Sequence, residues 1–98
     1  IKAKATNPTS SIIYNYLGQT ELKSNNLDKA EEMFLTAIKL DSQSGDFHAN
    51  LAFVYFLKAN HKKAMDQLIK GKQLGFENDT TKKLFDLYGI KLTKKKKR

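Results

Sequence analysis

Two histidines, His48 and His61, are the side chains of this sequence best suited to acid–base or metal chemistry. They are 13 positions apart (61 − 48 = 13), and no cysteine or closely spaced second histidine completes a zinc motif. We therefore expect no metal site, with His48 packed in the interior and His61 on the surface. No paired carboxylates stand in an apolar setting and no nucleophile stands beside a base, so we expect no enzymatic activity and no cofactor.

A second chemically active group is a run of positive charges at the end of the sequence, formed by Lys94, Lys95, Lys96, Lys97 and Arg98. The formal net charge is +8, so the rest of the chain has a charge of +3 (8 − 5 = 3). Such a run repels itself and stays extended, which predicts disorder for residues 92–98. It could bind nucleic-acid phosphates or anionic lipid, serve as a nuclear address, or only keep the chain soluble.

The composition predicts one small folded domain. The 98 residues are 40% hydrophobic and 10% aromatic, enough apolar surface for a modest core. The longest apolar run, residues 51–57, is far shorter than the roughly 20 residues that a membrane span needs. No signal-peptide pattern is visible and the chain starts at Ile1, so we interpret it as a fragment or a processed form.

The apolar run and its flanks recur at a fixed distance along the chain. A shift of 34 positions places Leu17 on Leu51 (51 − 17 = 34) and predicts equivalent environments for the two leucines. The same shift aligns five further pairs: Tyr14 with His48, Gly18 with Ala52, Ala30 with Ala64, Phe34 with Leu68, and Leu40 with Leu74.

Apolar residues within both copies are spaced i, i+3, i+4, which is typical of amphipathic helices. The pattern predicts an all-α fold with helices at about 11–23, 27–40, 46–58, 61–74 and 80–88. Asparagines at positions 26, 60 and 78 are predicted helix caps, and Gly75 is a predicted helix end.

These residues resemble the tetratricopeptide repeat, whose pattern is W-x2-L-G-x2-Y, then A-x3-F, then P. The first copy matches it at Leu17, Gly18, Ala30 and Phe34, with Tyr14 in place of the tryptophan. The match is imperfect at Glu21, Ser42, His48, Gly71 and Phe76. The resemblance covers roughly residues 1–91 and implies antiparallel helix-turn-helix pairs stacked as a right-handed superhelix.

The resemblance also implies an organisation for the whole chain. Residues 1–10 would end a preceding repeat, with Pro8 as the family proline, the alternative being a flexible N-terminal arm. Residues 11–44 and 45–78 would be repeat units. Residues 79–91 would form a C-terminal capping helix whose outer face is polar. The chain would then be the C-terminal part of a longer array.

Repeats of this family use their first helices to line a concave groove that binds partners. The groove residues implied for this chain are Asn15, Gln19, Leu22, Ala49, Asn50, Phe53, Phe56, Lys83 and Leu87. A groove that is apolar at its centre, with amides on one side and lysine on the other, favours a neutral or apolar peptide. Of the family's carboxylate-binding positions only Asn50 matches, so we do not expect an acidic peptide. The alternative is that Phe53 and Phe56 belong to the core.

Three hypotheses follow. The favoured one is a non-catalytic scaffold that binds a peptide or protein partner in its concave groove. The second is nucleic-acid or anionic-surface binding through the basic tail. The third is self-association through an uncovered repeat face that includes Ile12, Ile13, Tyr14 and Tyr16.

Overall fold

The computed structural model describes residues 8–89, where all the regular secondary structure is helical. Its five helices are α1 (Pro8–Lys23), α2 (Leu27–Leu40), α3 (Gly45–Leu57), α4 (His61–Gln73) and α5 (Asp79–Tyr88). No strand occurs between residues 8 and 89, so the all-α prediction is confirmed. The predicted bounds of α2 through α5 are correct to within one residue.

The start of α1 differs from the prediction by three residues. Pro8 is the first residue of the helix. Proline is well tolerated there, since its fixed φ suits the helix and its missing N–H would have no partner within the helix. Residues 8–10 therefore belong to α1. Residues 1–7 of that predicted segment lie outside the described range.

The helix ends follow from local backbone chemistry. Asn25 and Gly75 adopt positive φ values of 62° and 91°, which end the preceding helices. Asn78 caps α5 in a reciprocal capping box with Thr81. Asn26 occupies the N-cap position of α2, but its side-chain nitrogen donates to Glu21 Oε1 at 2.9 Å and no side-chain cap forms.

The helices pack as two close pairs, α1 with α2 and α3 with α4. A small residue meets a large one in each pair. A Cβ atom on Gly18 would lie 2.5 Å from the ring of Phe34, which is fully buried. In the second pair, Ala52 and the buried Leu68 belong to one core cluster. The first pair thus combines glycine with phenylalanine. The second pair combines the larger alanine with the smaller leucine.

Gly71 has a low helix propensity, but it is needed for the packing of α4 on α3. A Cβ atom at Gly71 would lie 3.0 Å from the carbonyl oxygen of Gly45. One at Gly45 would lie 2.6 Å from Cβ of Phe76. These two glycines let α4 approach the start of α3, which offsets the cost of about 1 kcal/mol for glycine inside a helix.

Leu17 and Leu51 differ in burial, so the prediction that their environments are equivalent is wrong. Leu17 is 43% exposed, whereas Leu51 is fully buried. The difference arises because α3 lies in the middle of the described helices, packed against α2 and α4. No described helix precedes α1, so the same position remains on the surface there.

A polar network joins the two pairs across the contact between α2 and α3. The hydroxyl of Tyr55 donates to Glu31 Oε2 at 3.0 Å. The ammonium of Lys58 donates to Asp28 Oδ1 at 2.6 Å and Glu31 Oε1 at 2.7 Å. These bonds lower the pKa of the Asp28 carboxyl and raise that of Lys58. The network fixes the second pair against the first.

The buried tyrosine of this network predicts a loss of stability at alkaline pH. Burial, helped by the bond to Glu31, raises the pKa of Tyr55 to about 12. An unfolded tyrosine titrates near pH 10, so the contribution of Tyr55 is complete below about pH 10 and is lost as the pH rises towards 12. Denaturant unfolding at a series of pH values should show this loss in the parent and a smaller loss in Tyr55→Phe. Tyr16→Phe is the control, because Tyr16 is 66% exposed. Equal losses in all three proteins would contradict the prediction.

Candidate functional site

Two neighbouring clefts lie along the first helices of the pairs. The larger, of about 470 Å³, lies between α1 and the start of α3 and is lined by Ser11, Ile12, Asn15, Tyr16, Gln19, Asp41, Ser44, Asp46 and Phe47. The smaller, of about 100 Å³, lies between α3 and α5 and is lined by Ala49, Asn50, Phe53, Asn78, Thr80 and Thr81. We call the surface formed by both clefts the α1–α3–α5 groove.

The lining of this groove repeats with the period of the sequence. Asn15, Tyr16 and Gln19 of α1 line the larger cleft, and a shift of 34 gives Ala49, Asn50 and Phe53 of α3, which line the smaller one. Position 12 likewise leads to 46 and then to 80 (46 − 12 = 34; 80 − 46 = 34), on α1, α3 and α5 in turn. The clefts are therefore two copies, one period apart, of a similar gap between helices, α1 with α3 and α3 with α5.

A hydrogen bond between two asparagines joins the clefts. Asn50 Nδ2 donates to Asn15 Oδ1 at 2.9 Å. Asn15 is only 9% exposed, which fixes its orientation, while Asn50 is half-buried. Because a carboxamide both donates and accepts, this pair can also bond to the backbone of a bound chain.

Five of the nine predicted groove residues line the clefts: Asn15, Gln19, Ala49, Asn50 and Phe53. Two others pack into the molecule instead. Leu22 and Phe56 lie against the core cluster that contains Phe34 and Leu51. Lys83 and Leu87 lie on the exposed side of α5, where Leu87 is 68% exposed, and line neither cleft.

The two phenylalanines of α3 have different roles. Phe56 packs edge-to-face against Tyr88 and against His61, each with ring centroids 6.1 Å apart, and so fixes α5 and α4. Phe53 stacks on Phe56 at 6.3 Å and also lines the smaller cleft. Phe56 is therefore a packing residue, while Phe53 belongs both to the core edge and to the groove.

The larger cleft contains residues that the sequence analysis did not assign to the groove. Tyr16 could have been found by shifting the predicted Asn50 back by the repeat period (50 − 34 = 16). Ser44 and Asp46 correspond in the same way to Asn78 and Thr80 of the smaller cleft (78 − 44 = 34; 80 − 46 = 34), which the sequence did not place in the groove either. Asp41 has no such signal and reaches the cleft from the turn between α2 and α3.

The charge of the groove also differs from the expectation. The larger cleft contains two carboxylates, those of Asp41 and Asp46, and no lysine or arginine lines either cleft. The predicted lysine side of the groove is therefore absent from these linings, because Lys83 lies elsewhere on α5.

His48 is buried where α3 packs against α4. Its ring nitrogens lie 2.6 Å from Gln67 Oε1 and 3.0 Å from the carbonyl oxygen of Ser42. Between residues 8 and 89, no three potential ligands from His, Cys, Asp and Glu come together for a metal ion. None of the helices in that range combines the length and apolar character needed to span a bilayer.

The basic run at positions 94–98 lies outside the described residues.

No protein-family model matches this sequence, and no curated protein matches it. The class of protein defined by the described residues is an all-α protein of packed helical pairs with a groove along their first helices.

Proposed function

We propose that this chain is a non-catalytic protein–protein interaction module of the tetratricopeptide type, which binds a peptide in the α1–α3–α5 groove. The observation that supports this most strongly is the repetition of the groove lining. Side chains 34 positions apart face one continuous surface, which is what a stack of such repeats presents to a partner. The helix of residues Asp79–Tyr88 would close the stack at its end.

The chemistry of the groove suits an extended peptide. The carboxamides of Gln19 and Asn50 can bond to peptide N–H and C=O groups, which gives affinity without dependence on sequence. Phe53 and the 66% exposed Tyr16 offer apolar surface for side chains, which gives selectivity. Flat rings placed beside amides are typical of binding surfaces that recognise short segments.

A peptide-display selection tests the proposal and yields a ligand at the same time. The intact chain would be immobilised and a random library of twelve-residue peptides selected against it. Affinities of the enriched peptides would then be compared for the parent and Phe53→Ala. Because aromatic residues at the centre of a groove often contribute more than 1 kcal/mol, we expect a loss of about tenfold.

Phe85→Ala is the matched control for Phe53→Ala. Both phenylalanines are partly buried and both pack against the cluster of Ala52, Leu68 and Leu84, but Phe85 lines neither cleft. The two variants should lose similar amounts of stability, while only Phe53→Ala should lose the peptide. Equal affinities in both variants would reject the groove as the binding site. Phe56→Ala is unsuitable, since its ring fixes α5.

Self-association is a second candidate, favoured by one exposed face of α1. Ile13 is 50% exposed and Leu17 is 43% exposed, one helical turn apart. The equivalent Leu51 is covered by α2, which suggests that a helix of a second copy could cover this face. Light scattering over a concentration series should then show a dimer that Leu17→Lys abolishes. A monomer at every concentration would rule the candidate out.

A further inference from the structure

The larger cleft has a negative charge in a molecule whose formal net charge is +8. Asp41 Oδ1 accepts from the backbone N–H of Gln43 at 3.1 Å, and Asp46 Oδ1 accepts from the hydroxyl of Ser44 at 2.6 Å. The second oxygen of each carboxylate is outside these bonds. Neither aspartate belongs to any ion pair formed within residues 8–89. Two negative charges therefore face the cleft without a cation beside them.

The position of Asp41 is unfavourable for folding. It follows the last residue of α2, where its backbone N–H donates to the carbonyl of Ala37. The macrodipole places partial negative charge at this end of a helix, so a carboxylate there is destabilising. Asp46 is different, because it lies in the first turn of α3, where an acidic residue is favourable. Helix stability accounts for Asp46 but not for Asp41, whose side chain stabilises the following turn through the bond to Gln43.

A buried amide at the same cleft independently indicates a ligand. Asn15 is 9% exposed and lines the cleft, and its Oδ1 accepts from Asn50. Its Nδ2 donates to no residue of the described range, and a buried donor without an acceptor costs free energy. This nitrogen is therefore available to donate to a carbonyl oxygen that enters the cleft.

The α1 side of the cleft also offers apolar surface beside its polar residues. Ile12 is 49% exposed and Tyr16 is 66% exposed. Such surface packs well against the aliphatic part of a lysine or arginine, and a tyrosine ring also attracts the cation. The volume of about 470 Å³ lies within the usual range for ligand sites.

We infer that the larger cleft binds a lysine or arginine side chain of an extended peptide. Asp41 and Asp46 pair with the cation, and Asn15 Nδ2 donates to a backbone carbonyl of the same peptide. This inference rests on the proposed peptide-binding function and assigns its ligand class. It differs from the neutral or apolar peptide that the sequence favours, because the fold places both carboxylates in the larger cleft.

The test uses a fluorescent nine-residue peptide in which arginine and leucine alternate, with matched glutamine and glutamate versions. Anisotropy titrations would compare the parent, Asp41→Asn/Asp46→Asn and Asp66→Asn/Asp86→Asn. The last variant is the control, since it changes the net charge equally at exposed residues that line neither cleft. Circular dichroism would establish that all three proteins are folded.

We expect the arginine peptide to bind the parent and to lose about tenfold or more in affinity with the cleft variant. The control should change by about twofold or less, as exposed charges do. A variant that ends at Thr93 should bind the peptide more tightly if the basic run at 94–98 competes for the cleft. If this shortened variant binds more tightly, and if Asp41→Asn/Asp46→Asn introduced into it abolishes that gain, the result also supports the inference.

Two results would overturn the inference. One is equal affinity of the parent for the arginine and glutamine peptides, and the other is equal affinity of the cleft variant and its control for the arginine peptide. In either case the proposed function would survive if binding still required Phe53. If Phe53→Ala also bound every peptide as well as Phe85→Ala does, the proposed function would fail as well.

Discussion

Replacing Phe34 with alanine is expected to lower the free energy of unfolding by about 3–5 kcal/mol. The ring is fully buried and lies against Gly18 on α1, inside the core cluster that also contains Leu51 on α3. The cavity would open where three helices meet. A domain of this size has only about 5–15 kcal/mol of stability. The loss measured by denaturant unfolding should therefore be a large fraction of the total free energy of unfolding.

Leu35→Ala is the matched control for this change. Leu35 is the next residue of α2 and is 44% exposed. It should change the free energy of unfolding by about 0.5 kcal/mol, as most surface substitutions do. A similar loss in both variants would mean that Phe34 is not at the junction of the helices.

Introducing a methyl group at Gly18 is expected to destabilise the protein by about 1–3 kcal/mol. Alanine should favour an exposed helix interior by about 1 kcal/mol over glycine. Here, however, the new Cβ would lie 2.5–2.8 Å from three ring atoms of Phe34. Since the ring is fully buried and cannot turn out to solvent, the clash should outweigh the gain in helix propensity.

The second helical pair suggests how to relieve this clash. It places Ala52 and Leu68 at the positions equivalent to Gly18 and Phe34 (52 − 18 = 34; 68 − 34 = 34). Gly18→Ala/Phe34→Leu should therefore be more stable than Gly18→Ala alone. A double-mutant cycle measures this coupling. Additive losses would show that the two positions do not interact, and the repeat register would then have no energetic basis.

The fold could be predicted from the sequence because its signals are local. The spacing of apolar residues located all five helices. Gly75 marked a boundary through its positive φ, and Asn60 and Asn78 marked others as side-chain caps. The start of α1 was misplaced because Pro8 was interpreted as the end of a repeat, although proline equally suits the first position of a helix. The repeat register aligned the small and large residues that meet in both pairs.

Burial and the outer limits of the groove were less predictable, because they depend on what surrounds each helix. Leu17 and Leu51 occupy equivalent positions but have different neighbours. Helix α3 is apolar on nearly every side, so its sequence could not show that Phe56 faces the core while Phe53 reaches the cleft. Asp41 enters the groove from a turn, where no periodic pattern marks it.

The central claim is that the α1–α3–α5 groove is where this chain meets a peptide. The most direct test is a two-dimensional ¹H–¹⁵N NMR titration of the intact chain with the peptide that the display selection enriches most. We predict the largest shifts at the side-chain amides of Asn15, Gln19 and Asn50 and at the backbone of Phe53. Shifts confined to the exposed residues of α2 and α4, or to the basic residues 94–98, would contradict the claim.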